Sequence, residues 1–90
     1  MLDQKRLFGE RLRQLRTSAG LSQEELAERA TLDRTYVSSC ERGKRNVSLE
    51  NIWRFALAMG VMPSALFFNE NELGKAGVPM SGSGDAARRS

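Results

Sequence analysis

Ninety residues, 40% hydrophobic and 28% charged, suffice for one compact domain and no second core, which leaves no room for a separate catalytic domain. The chain has no histidine and a single cysteine, so a metal site, a Cys/His catalytic pair and an internal disulfide are all unsupported. The net charge is +3, but residues 1–73 carry eleven Lys/Arg against ten Asp/Glu, so bulk charge does not argue for a polyanionic partner.

From about Asp3 to Ala19, Phe8, Leu12, Leu15 and Ala19 recur at 4-3-4 spacing with Leu7 beside them, the period of an amphipathic helix, and Gly20 is its natural terminator. Ser22 with Glu25 three residues on forms a capping box, while Leu21 and Leu26 stand at the two positions of a hydrophobic staple. A second helix is expected over about 23–30. Eleven residues later the grammar recurs, with Leu32, Asp33 as a carboxylate N-cap and Val37, so a third helix is expected over about 34–42, closed by Gly43. Val47, Ser48 and Ile52 repeat the pattern for a fourth helix to about Met59, and Pro63 suits the first position of a fifth ending near Phe68. From Gly74 onward the chain is rich in glycine and poor in apolar groups. The folded domain is therefore expected over 1–73, with a flexible tail over 74–90.

The second and third helices have almost no chain between them, which is the arrangement of a helix-turn-helix. At about 100° per residue, Arg34, Ser38, Arg42, Thr35 and Ser39 share one arc of roughly 140°, whereas Tyr36, Val37 and Cys40 fall opposite. One face packs and the other carries only hydrogen-bonding groups. Arginine can bond guanine O6 and N7 as a fork, serine and threonine can donate or accept at a base edge, and the threonine methyl can meet a thymine methyl. Alone, such a face is equally a solvated one. Coupled to the preceding helix and tight turn, it points to reading of DNA in a major groove. Arg34, Arg42, Lys44 and Arg45 lie within 12 residues and place a basic stripe on a near-neutral body.

The run GLSQEELAERATLDRTYVSSCERGKRNVSLENIWRFALAMGVMPSALF resembles the Cro/repressor helix-turn-helix family, also called the XRE family, in motif order, spacing and core positions over roughly Leu7 to Phe68. Within it, RTYVSSCERGKRNVSLENI is most similar to the small controller proteins of restriction-modification systems. The resemblance implies an all-α, five-helix lambda-repressor-like domain with the third helix held out from the body. It also implies a sequence-specific transcriptional regulator that binds a palindromic double-stranded DNA operator as a homodimer, by repression or by recruitment of RNA polymerase. Arg34, Thr35 and Ser38 match positions that contact bases in relatives, and Ser39, further around the arc, is expected at a base or the sugar-phosphate edge. Gln23 takes the family role of donating to a phosphate and bracing the recognition helix, while Arg42, Lys44, Arg45 and Asn46 are expected on the phosphate backbone. Glu41 is expected to bridge to a nearby arginine, because a carboxylate facing phosphate would be repelled. Tyr36 is expected to pack at the core edge.

The expected core is Leu12, Leu15, Leu26, Ala27, Ala30, Val37, Cys40, Ile52, Phe55, Ala56, Met59, Val61 and Leu66. Cys40 stands where the family has a larger apolar residue and is read as a small core substitution. Met62, at the fifth helix's cap, replaces the family's small polar residue, so that helix has to lean on packing. In the fourth helix Ile52, Phe55, Ala56 and Met59 complete a core stripe, yet Trp53 and Leu57 sit four apart on a different face. With Phe67 and Phe68 they are expected to form an exposed apolar patch that joins two copies, unless the tail or first helix covers Trp53. The rival reading is an antitoxin-like or adaptor module whose patch binds another chain. No apolar run approaches the roughly 18 residues of a membrane helix, and the N-terminus MLDQKRLFGER lacks the apolar core of a signal peptide. The expectation is a soluble cytoplasmic protein that is not an enzyme and has no cofactor and no membrane partner.

Overall fold

A computed structural model describes residues 3–67, and among these the chain forms α1 (Gln4–Ser18), α2 (Gln23–Ala30), α3 (Arg34–Glu41), α4 (Leu49–Met59) and a 3-10 turn, Pro63–Leu66. The described residues contain no strand, and the all-α class holds with four α-helices rather than five. Pro63 does open the last element, but Met62 supplies no side-chain cap and a single 3-10 turn is all that forms. Nucleating a helix costs more than four residues return. Phe68 and the tail from Gly74, with the boundary set at residue 73, lie outside the described residues.

Local chemistry accounts for most of the starts. The Ser22 hydroxyl accepts from the Glu25 N–H at 3.0 Å while the Glu25 carboxylate accepts from the Ser22 N–H at 2.8 Å, so the capping box is complete. The Ser22 N–H, and after it the Ser22 hydroxyl beside the carboxylate, hold the Glu25 carboxyl below its usual range. Asp3 caps α1 through Arg6 N–H, and Ser48 caps α4 through Asn51 N–H. Asp33 differs from its expected role. It has the extended backbone of a cap, but its carboxylate makes no cap hydrogen bond and only its carbonyl accepts, from Tyr36 and Val37.

All four helices end alike, with paired bonds from the two residues after the last turn: Gly20 and Leu21 close α1, Thr31 and Leu32 close α2, Gly43 and Lys44 close α3, and Gly60 and Val61 close α4. The first residue of each pair has positive φ, and only at Thr31 is it not glycine.

Leu12, Leu26, Val37, Cys40, Phe55 and Leu66 are fully buried at the centre. Leu15, Ile52 and Val61 pack around that core only partly buried, and Leu21 joins it through the end of α1. α1 crosses α3 backbone to backbone at Gly9, where any Cβ would come within 2.7 Å of the Glu41 carbonyl oxygen. α3 is therefore not held away from the body. Its inner face, Val37, Ser39 and Cys40, is buried against α1 and α2, and its outer face stays open.

Candidate nucleic-acid interface

Three helices meet at one carboxylate. Arg16 of α1 donates from Nε to Glu41 Oε2 at 2.5 Å and from Nη2 to Glu41 Oε1 at 3.1 Å, and its Nη1 donates to the Leu21 carbonyl at 2.7 Å. Gln23, in the first turn of α2, donates from Nε2 to the same Glu41 Oε1 at 3.1 Å. Arginine supplies the fork that a carboxylate accepts in two parallel bonds. The arginine expected beside Glu41 is thus Arg16, and Gln23 is tied to the end of α3 with its side chain part-exposed.

This hub sets the outer face of α3. Arg34 and Thr35 are exposed at its first two positions, and Ser38 lies one turn on with its hydroxyl accepting from Arg42 Nη1. Ser39 departs from expectation. Ser39 is only 8% exposed, and the chain after α3 turns back so that Lys44 N–H bonds its carbonyl at 3.0 Å. It is thus buried in the free subunit, where the sequence suggested an open position.

Lys44, Arg45 and Asn46 are exposed on the loop after α3, beside the end of the helix that carries Arg42. The Arg45 guanidinium lies 5.5 Å from the centroid of the Tyr36 ring, which stacks on Phe55 with centroids 6.4 Å apart. The Tyr36 hydroxyl accepts from Asn51 Nδ2 at 3.0 Å. Burial pushes the phenol up, partly offset by that bond, and Tyr36 is the core-edge packer the sequence suggested. Thr35, Tyr36, Arg45 and Asn51 border an open cleft of about 700 Å³ beside the start of α3. Burial likewise raises the Cys40 thiol, which at 1% exposure is a core side chain and not a reactive one.

A second surface lies on α4. Trp53 and Leu57 are 51% and 74% exposed, and Leu49, four residues earlier, is 72% exposed. At about 100° per residue these three form one stripe beside the buried Phe55, Ala56 and Met59. Leu49 was legible at the same spacing and was missed because it follows the N-cap. Phe67 is 61% exposed and leans on Phe8, ring centroids 5.8 Å apart. Neither α1 nor any other described residue covers Trp53. Among the described residues no helix is long and apolar enough to cross a membrane, and no cluster of three or more His, Cys, Asp or Glu could hold a metal ion.

A tight turn between α2 and α3, a braced α3 and an outward polar face define a helix-turn-helix protein. A family model described as Helix-turn-helix matches residues 12–66, and the chain belongs to that family. It is 52% identical over 61 residues to the control protein C.BamHI of Bacillus amyloliquefaciens, covering 67% of this chain and 75% of that one. The restriction-modification controller protein C.AhdI from Aeromonas hydrophila has the same fold, with a TM-score of 0.71 and 53% identity over 73% of this chain and 100% of that one. The controller protein C.Esp1396I, seen as a tetramer in complex with its natural 35 base-pair operator, matches with a TM-score of 0.64 and 29% identity over 69% of this chain and 82% of that one.

Proposed function

We propose that the protein is a sequence-specific DNA-binding transcriptional regulator of the restriction-modification controller type, acting in the cytoplasm as a homodimer on a palindromic operator and having no enzymatic activity. The observation that carries this reading is the hub on Glu41, which holds the open face of α3 and the start of α2 in one rigid surface. Arg34, Thr35 and Ser38 face the bases of a major groove from that surface, and Gln23, Arg42, Lys44, Arg45 and Asn46 meet the phosphates on either side. Gln23 keeps a second N–H for a phosphate while it bonds Glu41.

Two copies join through Leu49, Trp53, Leu57 and Phe67, four of the apolar groups that the described part of the subunit leaves in water. A two-fold contact is self-complementary and presents two α3 helices to one duplex. The bound operator then blocks a promoter or places the protein beside RNA polymerase, according to where it lies. Selection from random duplexes followed by footprinting tests the reading. We expect a symmetric site whose half-sites lie one helical turn apart, roughly 34 Å. Failure to enrich any sequence, or a single unpaired footprint, refutes it.

A further inference from the structure

We propose that Arg6 of α1 is a further phosphate-binding residue of this DNA interface, and that Glu10 occupies its guanidinium until a phosphate displaces it. The proposal rests on the DNA-binding reading above and extends it to an element outside the helix-turn-helix. Gly43, which closes α3, has φ +73°, and a Cβ there would lie 2.9 Å from the Arg6 Cα and 3.2 Å from its backbone nitrogen. Only a glycine lets the first turn of α1 rest directly on that corner. Arg42 and Lys44 flank Gly43 in the chain, so Arg6 adds a third cation to the same corner from a different helix.

The Arg6 side chain has no structural duty that would hold it there. It is 71% exposed, and its partner among the described residues is Glu10, at 3.5 Å and 57% exposed. An exposed pair at this spacing is weak, and weaker still with the cation on the N-terminal side. A backbone phosphodiester carries a full charge and two non-bridging acceptor oxygens, and each phosphate neutralised releases counterions to bulk solution. Arg6 therefore exchanges its carboxylate for a phosphate at little cost when Lys44 and Arg42 bring the backbone alongside.

The experiment measures affinity of the full chain for its selected operator between 50 and 200 mM salt, for wild type, Arg6→Gln, Arg6→Lys, Glu10→Gln and the double variant Arg6→Gln/Glu10→Gln. Circular dichroism on each sample confirms folding. Arg6→Gln should reduce the slope of log K against log salt by about 0.9 per subunit. For a dimer, the advantage of wild type over Arg6→Gln should then shrink about twelvefold across that range. Arg6→Lys should keep the slope, and Glu10→Gln should tighten binding only where Arg6 is present. An Arg6→Gln slope equal to wild type, or a Glu10→Gln gain that survives in the double variant, overturns the proposal while wild-type binding stands. A wild type without salt-dependent affinity for any duplex overturns the DNA reading as well.

Discussion

Arg16 and Glu41 form a two-bond ion pair across the α1–α3 contact, with side chains only 12% and 4% exposed. Two charges removed from water this far are tolerated because further hydrogen bonds support them: Glu41 also accepts from Gln23, and Arg16 also donates to the Leu21 carbonyl. The pair therefore couples the stability of the domain to the pose of its recognition helix.

Removing one partner leaves the other buried without compensation. Glu41→Ala should cost about 3–5 kcal/mol, read from the midpoint of urea unfolding, and should loosen Gln23 as well. The double variant Arg16→Met/Glu41→Leu should recover most of that loss, since an apolar pair replaces both charges. A Glu41→Ala loss below about 1 kcal/mol would show that water reaches the pair.

Arg34 stands exposed at the first position of α3, where a forked guanidinium can reach guanine. Arg34→Ala should cost about 1–3 kcal/mol on the operator and flatten the preference at one base pair per half-site. Affinities on operator variants changed one base at a time test this. Equal losses on all of them, random duplex included, would make Arg34 a phosphate contact instead.

Lys44 is exposed on the loop after α3, and a lysine on the phosphate backbone would carry no sequence code. Replacing it with alanine should weaken specific and random binding alike, and the salt slope should fall by about 0.9 per subunit. An unchanged slope would remove Lys44 from the footprint.

Trp53 and Leu57 expose half or more of their surface while Phe55 and Ala56 on the same helix are fully buried. Trp53→Glu or Leu57→Glu should give a folded monomer with much weaker operator binding, because joining two half-sites through one partner is lost. Sedimentation and circular dichroism on one sample separate the outcomes. A variant that stays dimeric, or a wild type that is monomeric at micromolar concentration without DNA, would falsify this interface.

Thr31 ends α2 at φ 60°, ψ 46°, the left-handed conformation that the other three helix ends give to glycine. A β-branched residue there costs about 1–2 kcal/mol, and glycine returns about 0.5–1 kcal/mol of that through its freer unfolded chain. Thr31→Gly should therefore stabilise the domain by up to about 1 kcal/mol, or roughly 4–8 °C in Tm for a domain of this size. A lower Tm would mean that the Thr31 side chain contributes more than its backbone loses.

Most of what depends on neighbours three or four residues apart was legible in the chain. Ser22 and Glu25 wrote the start of α2, the apolar period wrote α1 and α4, and the polar arc of α3 was visible from 3.6 residues per turn. Tertiary structure decided the rest. Ser39 belongs to the polar arc by angle, yet it is buried in the packed domain. Pro63 promised a helix, but without a cap the segment forms only one tight turn. The Asp33 carboxylate had the right position for a cap and makes no such bond. Glu41 called for an arginine, but only the α1–α3 crossing at Gly9 selected Arg16, from a helix two elements away. The capping bonds and the periodicity are local in sequence and act in any fold, whereas burial and ion pairing depend on which surfaces the packed helices bring together.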